Sequence, residues 1–296
     1  KTSSLYRGRS ERWRSDLPWY LLIGPHGSGK TSLLDFSGLE FPINKIDRKL
    51  TRDTLGTRHC DWYFADHGVL IDTAGRYLTQ PDAEVDGSAW STLLDLLRKR
   101  RRNRPLNGVL VTIPVETLTG GSEQDIDTLA RQVRGRLQDI HQKLHVDVPV
   151  YLVLSKADKL LGFDEFFDQL TREESDQVLG TSFRKEQVGT DVAVLRNEFE
   201  ELLRRLNSQV IMRMHSERDT QRRGRILDFP HQLGQIGERL CLFVDMAFTG
   251  NRYQRATQLR GFYLTSAPHL TQEMDSTTAG IGASLGMCAG VLPTLR

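Results

Sequence analysis

The 296-residue sequence predicts an α/β fold, with a mostly parallel sheet, one antiparallel hairpin and an appended or inserted all-helical segment. Three observations support this fold class. Strand-like apolar runs alternate with helix-like stretches over residues 18–162, and a glycine-rich loop joins the first strand to the first helix. From residue 163 to residue 259, apolar residues recur at helical spacing instead.

The composition is that of an ordinary globular chain, 38% hydrophobic and 26% charged. The formal net charge of +2 gives no argument for a nucleic-acid partner, and none is expected. No apolar run approaches the roughly 18 residues that would span a bilayer. The three cysteines, Cys60, Cys241 and Cys288, are odd in number and lack metal-type spacing. We therefore expect a soluble chain in a reducing, cytoplasmic compartment.

A phosphate-binding loop follows the first strand, WYLLI. Gly24, Gly29, Lys30 and Thr31 fit the pattern G-x-x-x-x-G-K-[ST], between a strand and a helix as that pattern requires. Lys30 is expected to neutralise phosphate charge and Thr31 to offer its hydroxyl to Mg2+. The predicted nucleotide-binding residues of the loop are Gly24, Pro25, His26, Gly27, Ser28, Gly29, Lys30, Thr31 and Ser32.

Two strand-like runs, CDWYFAD and GVLIDT, come next and predict the hairpin. The second run ends in Asp72-Thr73-Ala74-Gly75, where Asp72 can hold Mg2+ through water and Gly75 can give its N–H to the γ-phosphate. The 48 residues from Gly24 to Asp72 match the spacing usual in Ras-like GTPases. Together the two motifs predict a Ras-like P-loop NTPase domain, although a simple strand-end turn would also contain Asp and Gly.

The polar connection between loop and hairpin contains Thr51, Thr54 and Thr57. GTPases place there a threonine that completes the Mg2+ shell when the γ-phosphate is present. Thr57, a few residues before the hairpin, is the first choice as metal ligand and catalytic residue, and Thr54 is the alternative.

The run VPVYLVL leads into Ser155-Lys156-Ala157-Asp158, which resembles the guanine-reading N/T-K-x-D motif. Asp158 would accept hydrogen bonds from the base, and the stem of Lys156 would lie over it. Because Ser155 replaces asparagine or threonine, GTP and ATP both stay open. An ordinary charged loop after a strand is the alternative interpretation.

Arg76 occupies the position where many GTPases carry a water-orienting glutamine. Arginine cannot orient or deprotonate water in that way, so slow intrinsic hydrolysis is expected. Arg76 would either stabilise γ-phosphate charge, as a third catalytic candidate beside Lys30 and Thr57, or pair with an acidic neighbour.

Helix-like stretches begin near Ser88 and Ser122, and strand-like runs cover 108–115, 148–154 and 260–268. The predicted division is a polar lead (1–17), a P-loop NTPase domain (18–162), a helical subdomain (163–259), a strand returning to the sheet (260–270) and a Gly/Ala-rich tail (271–296). The basic run RKRRRNR at 98–104 is expected to end a helix in solvent, or to contact a membrane surface or a partner.

Several stretches resemble the cytoplasmic NTPase-like domain of the TssM/IcmF family, the inner-membrane component of bacterial type VI secretion systems. They are PWYLLIGPHGSGKTSLL, SGLEFPI, GTRHCDWYFADHGVLIDTAGRY, NGVLVTIPVETLT, PVYLVLSKADKLLGFDEFF and RGFYLTS. The resemblance implies that the full-length protein is anchored in the inner membrane, with other type VI membrane-complex and baseplate proteins as partners.

Two functions remain open at this point. The first is a nucleotide switch that binds GTP or ATP with Mg2+ and hydrolyses it slowly to gate assembly. The second is a non-catalytic scaffold whose nucleotide site is vestigial or constitutively occupied. An unrelated kinase-like P-loop enzyme fits less well, because it would leave the order of the three motifs unexplained.

Overall fold

The computed structural model describes residues 17–41, 57, 59–171, 174, 177–184, 191–250 and 256–267. Within these, a seven-stranded sheet has the order β2-β3-β1-β4-β5-β7-β6. The strands are β1 (Trp19–Ile23), β2 (Cys60–Ala65), β3 (Gly68–Thr73), β4 (Gly108–Pro114), β5 (Val150–Ser155), β6 (Gly180–Ser182) and β7 (Leu259–Leu264). All neighbours pair in parallel except β2 with β3 and β6 with β7. The mixed, mostly parallel α/β architecture agrees with the prediction.

Helices connect and flank these strands. They are α1 (Lys30–Asp35), α2 (Arg76–Thr79), α3 (Ala83–Arg100), α4 (Val115–Thr119), α5 (Glu123–Leu144), α6 (Phe163–Phe167), α7 (Val192–Ser216), α8 (Thr220–Gly234) and α9 (Gly237–Phe248), with a short 3-10 turn at Ala157–Lys159. No helix in the described ranges is long and apolar enough to cross a membrane.

The start of α3 shows how capping moves a helix boundary. The apolar pattern predicts a beginning near Ser88, but the helix begins at Ala83 because the Asp82 side chain accepts from the N–H groups of Glu84 and Val85. Helix α5 begins close to its expected position, where Ser122 and Asp125 form a capping box.

The described part of the segment predicted to be all-helical contains strand β6, which corrects that prediction. Strand β6 has three residues and pairs antiparallel with β7 at the sheet edge. A strand of this length has no readable periodicity, and it owes its conformation to its partner.

Helices α7, α8 and α9 share one apolar core with the sheet. Phe262 on β7 packs its ring 5.9 Å from that of Phe199 on α7, and both are buried. Phe229 on α8 is fully buried against Phe163 and Phe166 of α6. The helical segment is therefore packed onto the sheet through a continuous core in the described part of the chain.

The parallel strands bring four loops to one edge. Strands β1, β3, β5 and β7 end at Ile23, Thr73, Ser155 and Leu264. Because carboxyl ends of parallel strands lie on the same side, the loops that follow these residues meet there, at the usual position of ligand sites in such sheets.

Candidate functional site

A cleft of about 470 Å³ opens at this carboxyl edge. It is lined by residues 26–33, 57, 73, 75, 155, 156, 158, 265 and 267. The phosphate loop, the end of β3 and the segment after β5 thus meet in one concave site, as their order along the sequence predicts.

Glycines allow the phosphate loop to take its shape. Gly27 and Gly29 have φ of 71° and 76°, a left-handed conformation that glycine adopts without steric cost. A Cβ on Gly24 would lie 2.2 Å from the carbonyl oxygen of Thr112, and a Cβ on Gly75 would lie 2.3 Å from the backbone nitrogen of His26. The loop and the Gly75 turn therefore touch backbone to backbone.

Lys30 folds back against its own loop. Its Nζ donates to the carbonyls of Gly24 (2.9 Å) and Pro25 (3.0 Å) and lies 3.3 Å from the Ser28 hydroxyl. Burial lowers the pKa of Lys30, and the nearby Asp72 carboxylate opposes that shift. The ammonium group therefore contacts neutral oxygen atoms of the loop. A phosphate oxygen could replace these oxygens as its hydrogen-bond partner.

Asp72, Thr31 and Thr57 form an oxygen cluster beside Lys30. Asp72 Oδ2 accepts from the hydroxyls of Thr31 (2.6 Å) and Thr57 (3.0 Å), and the two hydroxyl oxygens are 3.4 Å apart. Asp72 Oδ1 is buried and has no hydrogen-bond partner among the described residues. Burial raises the pKa of Asp72, while the Thr31 hydroxyl, Lys30 and Thr57 oppose the rise.

This cluster fits the donor set of Mg2+. Hard divalent cations prefer carboxylate and hydroxyl oxygens, and Mg2+ usually keeps several waters beside one or two carboxylates. The unpartnered Oδ1 supplies an acceptor that nothing in the described protein satisfies, which is costly unless a ligand or water completes it. Thr51 and Thr54, the other threonines of the connection, lie outside the described residues.

Ser155, the last residue of β5, connects this strand to the phosphate loop. Its hydroxyl donates to the carbonyl of Ser28 at 2.7 Å, and the carbonyl of Ile113 lies 3.3 Å away. Lys156 follows in a left-handed conformation (φ 57°), and its ammonium lies 3.3 Å from Glu116 Oε2. A serine at this position therefore ties β5 directly to the phosphate loop.

Asp158 reveals a segment that the sequence reasoning missed. Its Oδ1 accepts a 2.6 Å hydrogen bond from the hydroxyl of Ser266, just after β7. Thr265 and Ala267, on either side, line the cleft. The sequence predicts that the run at 260–268 returns to the sheet, but only the structure gives its parallel direction, which brings the residues after it to this edge.

Four predicted site residues lie outside the cleft lining: Gly24, Pro25, Asp72 and Arg76. The side chain of Arg76 contacts residues that are not part of the cleft. Its Nη2 lies 2.8 Å from His59 Nδ1, and its Nε lies 3.6 Å from Asp86 Oδ1. Asp86 is buried, so it holds the guanidinium beside α3. Of the two roles considered for Arg76, this geometry is that of the acidic pairing, and the phosphate-stabilising role gains no support.

Comparison with known proteins places the chain in a family. The model of the IcmF-related N-terminal domain matches residues 83–296, more than half of the sequence. The chain belongs to the TssM/IcmF family of type VI secretion.

This TssM/IcmF chain is 39% identical over 285 residues to the type VI secretion system component TssM1 of Pseudomonas aeruginosa. The alignment covers 95% of the chain, so it includes the phosphate loop that precedes the matched family region. It covers 26% of TssM1, and the chain thus spans about a quarter of that relative's length.

Among solved structures, the chain is similar to the signal recognition particle receptor SRb of Chaetomium thermophilum. The SRb-GTP/SRX complex is 22% identical, with 48% of this chain and 70% of that chain covered and a TM-score of 0.30. The SRb-GDP structure is 17% identical, with 65% and 74% covered and a TM-score of 0.30.

Proposed function

We propose that this TssM/IcmF segment binds a nucleoside triphosphate with Mg2+ in the cleft and hydrolyses it slowly, as a switch in assembly of the secretion complex. The main observation that supports this proposal is the cluster of Asp72, Thr31 and Thr57 beside Lys30. In this cluster the buried Oδ1 of Asp72 has no hydrogen-bond partner among the described residues. The function rests on this geometry together with the glycine-dependent loop around it.

The phosphate end of the ligand would lie on the loop. Backbone N–H groups from Gly27 to Ser32, at the start of α1, favour an anion, and Lys30 would exchange its carbonyl partners for phosphate oxygens. Thr31, Thr57 and Asp72 would hold Mg2+, which supplies charge neutralisation at the phosphates when bound. Thr57 and Gly75, on separate segments, would then both respond to a terminal phosphate.

The base end would lie between the segments after β5 and β7. Asp158, fixed by Ser266, offers a carboxylate to the N–H groups of guanine, and Lys156 lies alongside. A carboxylate acceptor favours guanine, which presents two donors on one edge. GTP is therefore the favoured ligand, and ATP is the competitor to test against it.

Slow hydrolysis follows from the position of Arg76. With its guanidinium engaged by His59 and Asp86, it cannot orient an attacking water. We infer that turnover depends on a group supplied by a partner, and that the other membrane-complex and baseplate proteins of the system are those partners, acting on the cytoplasmic side of the inner membrane.

The proposal is tested by titrating fluorescent GTP and ATP analogues onto the full chain. In Lys30→Ala we expect affinity to fall at least about tenfold, because a charge-assisted bond to phosphate contributes roughly 1.5–3 kcal/mol. Lys99→Ala, which removes an exposed lysine at the end of α3, is the matched control and should bind like the parent. Equal binding by all three proteins, or no binding, contradicts the proposal.

Phosphate release separates the switch from the non-catalytic scaffold. The switch requires a release rate above the Lys30→Ala background, and the rate should rise when secretion partners are added. Release that stays at background with every partner, despite nucleotide binding, assigns the site to a scaffold with a fixed ligand.

A further inference from the structure

Five exposed cations form a cluster at the opposite end of the sheet from the cleft. We name this the basic edge cluster: Arg98, Lys99, Arg100, Arg102 and Arg104. It occupies the last turn of α3 and the loop that leads to β4. The adjoining Arg101 is buried instead, and it fixes this loop to the fold by placing its guanidinium 4.7 Å from the ring centroid of Trp19.

The five cations of the cluster share the lack of a carboxylate partner among the described residues. Among the described residues, no ion pair or side-chain hydrogen bond engages these five cations. Elsewhere, exposed cations such as Arg131, Arg196 and Arg225 pair with carboxylates. Asp95, on the preceding turn of α3, is engaged by Lys143 from α5. The five charges therefore project to solvent, and no described residue compensates them.

The positive charge is also concentrated relative to the whole chain. The run 98–104 carries six formal positive charges, and the chain as a whole carries +2, so the other 289 residues sum to −4. This charge also affects the buried Arg101. Burial lowers the pKa of Arg101, and the neighbouring positive charge of Arg104 lowers it further. A chain with this asymmetry presents one positive end to an anionic surface.

The make-up of the cluster favours a lipid surface over a protein partner. Arginine is common in the cores of protein interfaces, but there it accompanies aromatic and methionine side chains, and the run RKRRRNR has no apolar or aromatic side chain. Clusters of about 4–8 Lys or Arg bind anionic lipid headgroups, with each cation near the surface contributing about fivefold to binding.

We propose that the basic edge cluster docks the domain on the surface of a bilayer that contains anionic phospholipid. This contact lies at the amino ends of β1 and β4, and the seven residues of β4 separate it from the cleft by on the order of 20 Å. That distance is about twice the screening length in 0.1 M salt. Lipid binding and nucleotide binding therefore occupy separate faces and can be tested apart.

The test is sedimentation of the full chain with vesicles of phosphatidylcholine alone, or of equal parts phosphatidylcholine and phosphatidylglycerol, at about 0.1 M and about 1 M salt. We expect binding to the anionic vesicles at the lower salt and little binding in the other conditions. Replacing all five cluster cations with glutamine should lower binding at least about hundredfold.

A matched control keeps the net charge change equal. Arg131, Arg204, Arg205, Arg218 and Arg223 are exposed cations away from the cluster, and their replacement by glutamine should leave most vesicle binding intact. Thermal unfolding confirms that each variant is folded. A further variant changes the four arginines of the cluster, Arg98, Arg100, Arg102 and Arg104, to lysine, and it should still bind anionic vesicles because the charge is unchanged.

Three outcomes overturn the proposal: equal loss in the matched control, equal binding to neutral vesicles, or no vesicle binding by the parent chain. Binding of duplex DNA or poly-glutamate in place of anionic vesicles would assign the cluster to a different polyanion and would also overturn it.

Discussion

At the scale of single residues, Asp72 shows a conflict between stability and ligand binding. Its carboxylate is fully buried, and Oδ1 has no partner in the described structure. Leaving a buried polar atom unpaired costs about 1–3 kcal/mol, more for a charged group. Asp72 lies at the end of a strand beside two hydroxyls and a lysine. Its unfavourable burial there supports a role in ligand binding over a role in folding.

Asp72→Asn should therefore stabilise the ligand-free chain while weakening Mg2+-dependent nucleotide binding. The uncharged amide removes the buried charge and still accepts from Thr31 and Thr57. We expect the free energy of unfolding to rise by on the order of 1 kcal/mol and Tm by about 2 °C. Differential scanning calorimetry, with and without Mg2+ and GTP, measures both effects.

The pH dependence follows from the raised pKa of Asp72. The folded state holds this proton more tightly, so the stability of the parent should fall, relative to Asp72→Asn, as pH rises from the ordinary value of 3.8 through the higher folded-state pKa. A parent that is more stable than the variant at neutral pH without ligand would contradict this account of Asp72.

At the scale of elements, the phosphate loop and the turn after β3 contact each other with no space for a side chain. In Gly75→Ala, the new methyl group would meet the backbone nitrogen of His26 at 2.3 Å. Backbone shifts of this kind cost about 1–3 kcal/mol, so we expect nucleotide affinity to fall about tenfold or more.

Gly87→Ala provides the control for Gly75→Ala. Gly87 lies inside α3, where the nearest atom to an added Cβ is 3.7 Å away, an ordinary contact. Alanine in a helix interior is favoured over glycine by roughly 0.5–1 kcal/mol, so this variant should bind nucleotide normally and unfold at a higher temperature. Normal nucleotide binding by Gly75→Ala would contradict the close contact between loop and turn.

The elements that the sequence predicts well are those with local signals. The hairpin, β1, β4, β5 and β7 appear where apolar runs predict them, and α1 begins at Lys30 as the glycine loop requires. The short elements α2, α4 and β6 are missed because three to five residues give no periodicity. Their conformations depend on neighbours that are distant in sequence.

The candidate site is predictable to a similar extent. Motif spacing predicts Lys30, Asp72 and Ser155 at one edge of the sheet. In the structure Lys30 and Ser155 line the cleft, and Asp72 is hydrogen-bonded to the lining residues Thr31 and Thr57. The partners of Arg76 and the bond from Ser266 to Asp158 could not be inferred, because a sequence pattern does not encode which side chains meet across 108 residues.

At the scale of the whole molecule, one continuous core joins the helical segment to the sheet that carries the cleft. Phe229 on α8 lies at this junction. It is fully buried against the rings of α6, the helix that follows the segment after β5. A shared core implies that the helices and the cleft lose structure in one transition.

Phe229→Ala should lower the free energy of unfolding by about 3–5 kcal/mol, because it leaves a cavity in that core. Denaturant titration followed by circular dichroism and by nucleotide binding should show both signals shifting together. Leu227→Ala, 58% exposed on the same helix, is the control and should cost much less. Helical signal lost well before nucleotide binding would show that the two parts unfold separately.

The most direct test of nucleotide binding is calorimetric titration of unlabelled GTP into the full chain, in Mg2+ and again in excess EDTA. The arrangement of Lys30, Thr31, Thr57 and Asp72 predicts one site per chain, with affinity at least about tenfold higher in Mg2+. Absence of saturable binding, or equal affinity in Mg2+ and EDTA, would contradict the assignment of this cleft as a Mg2+–nucleotide site.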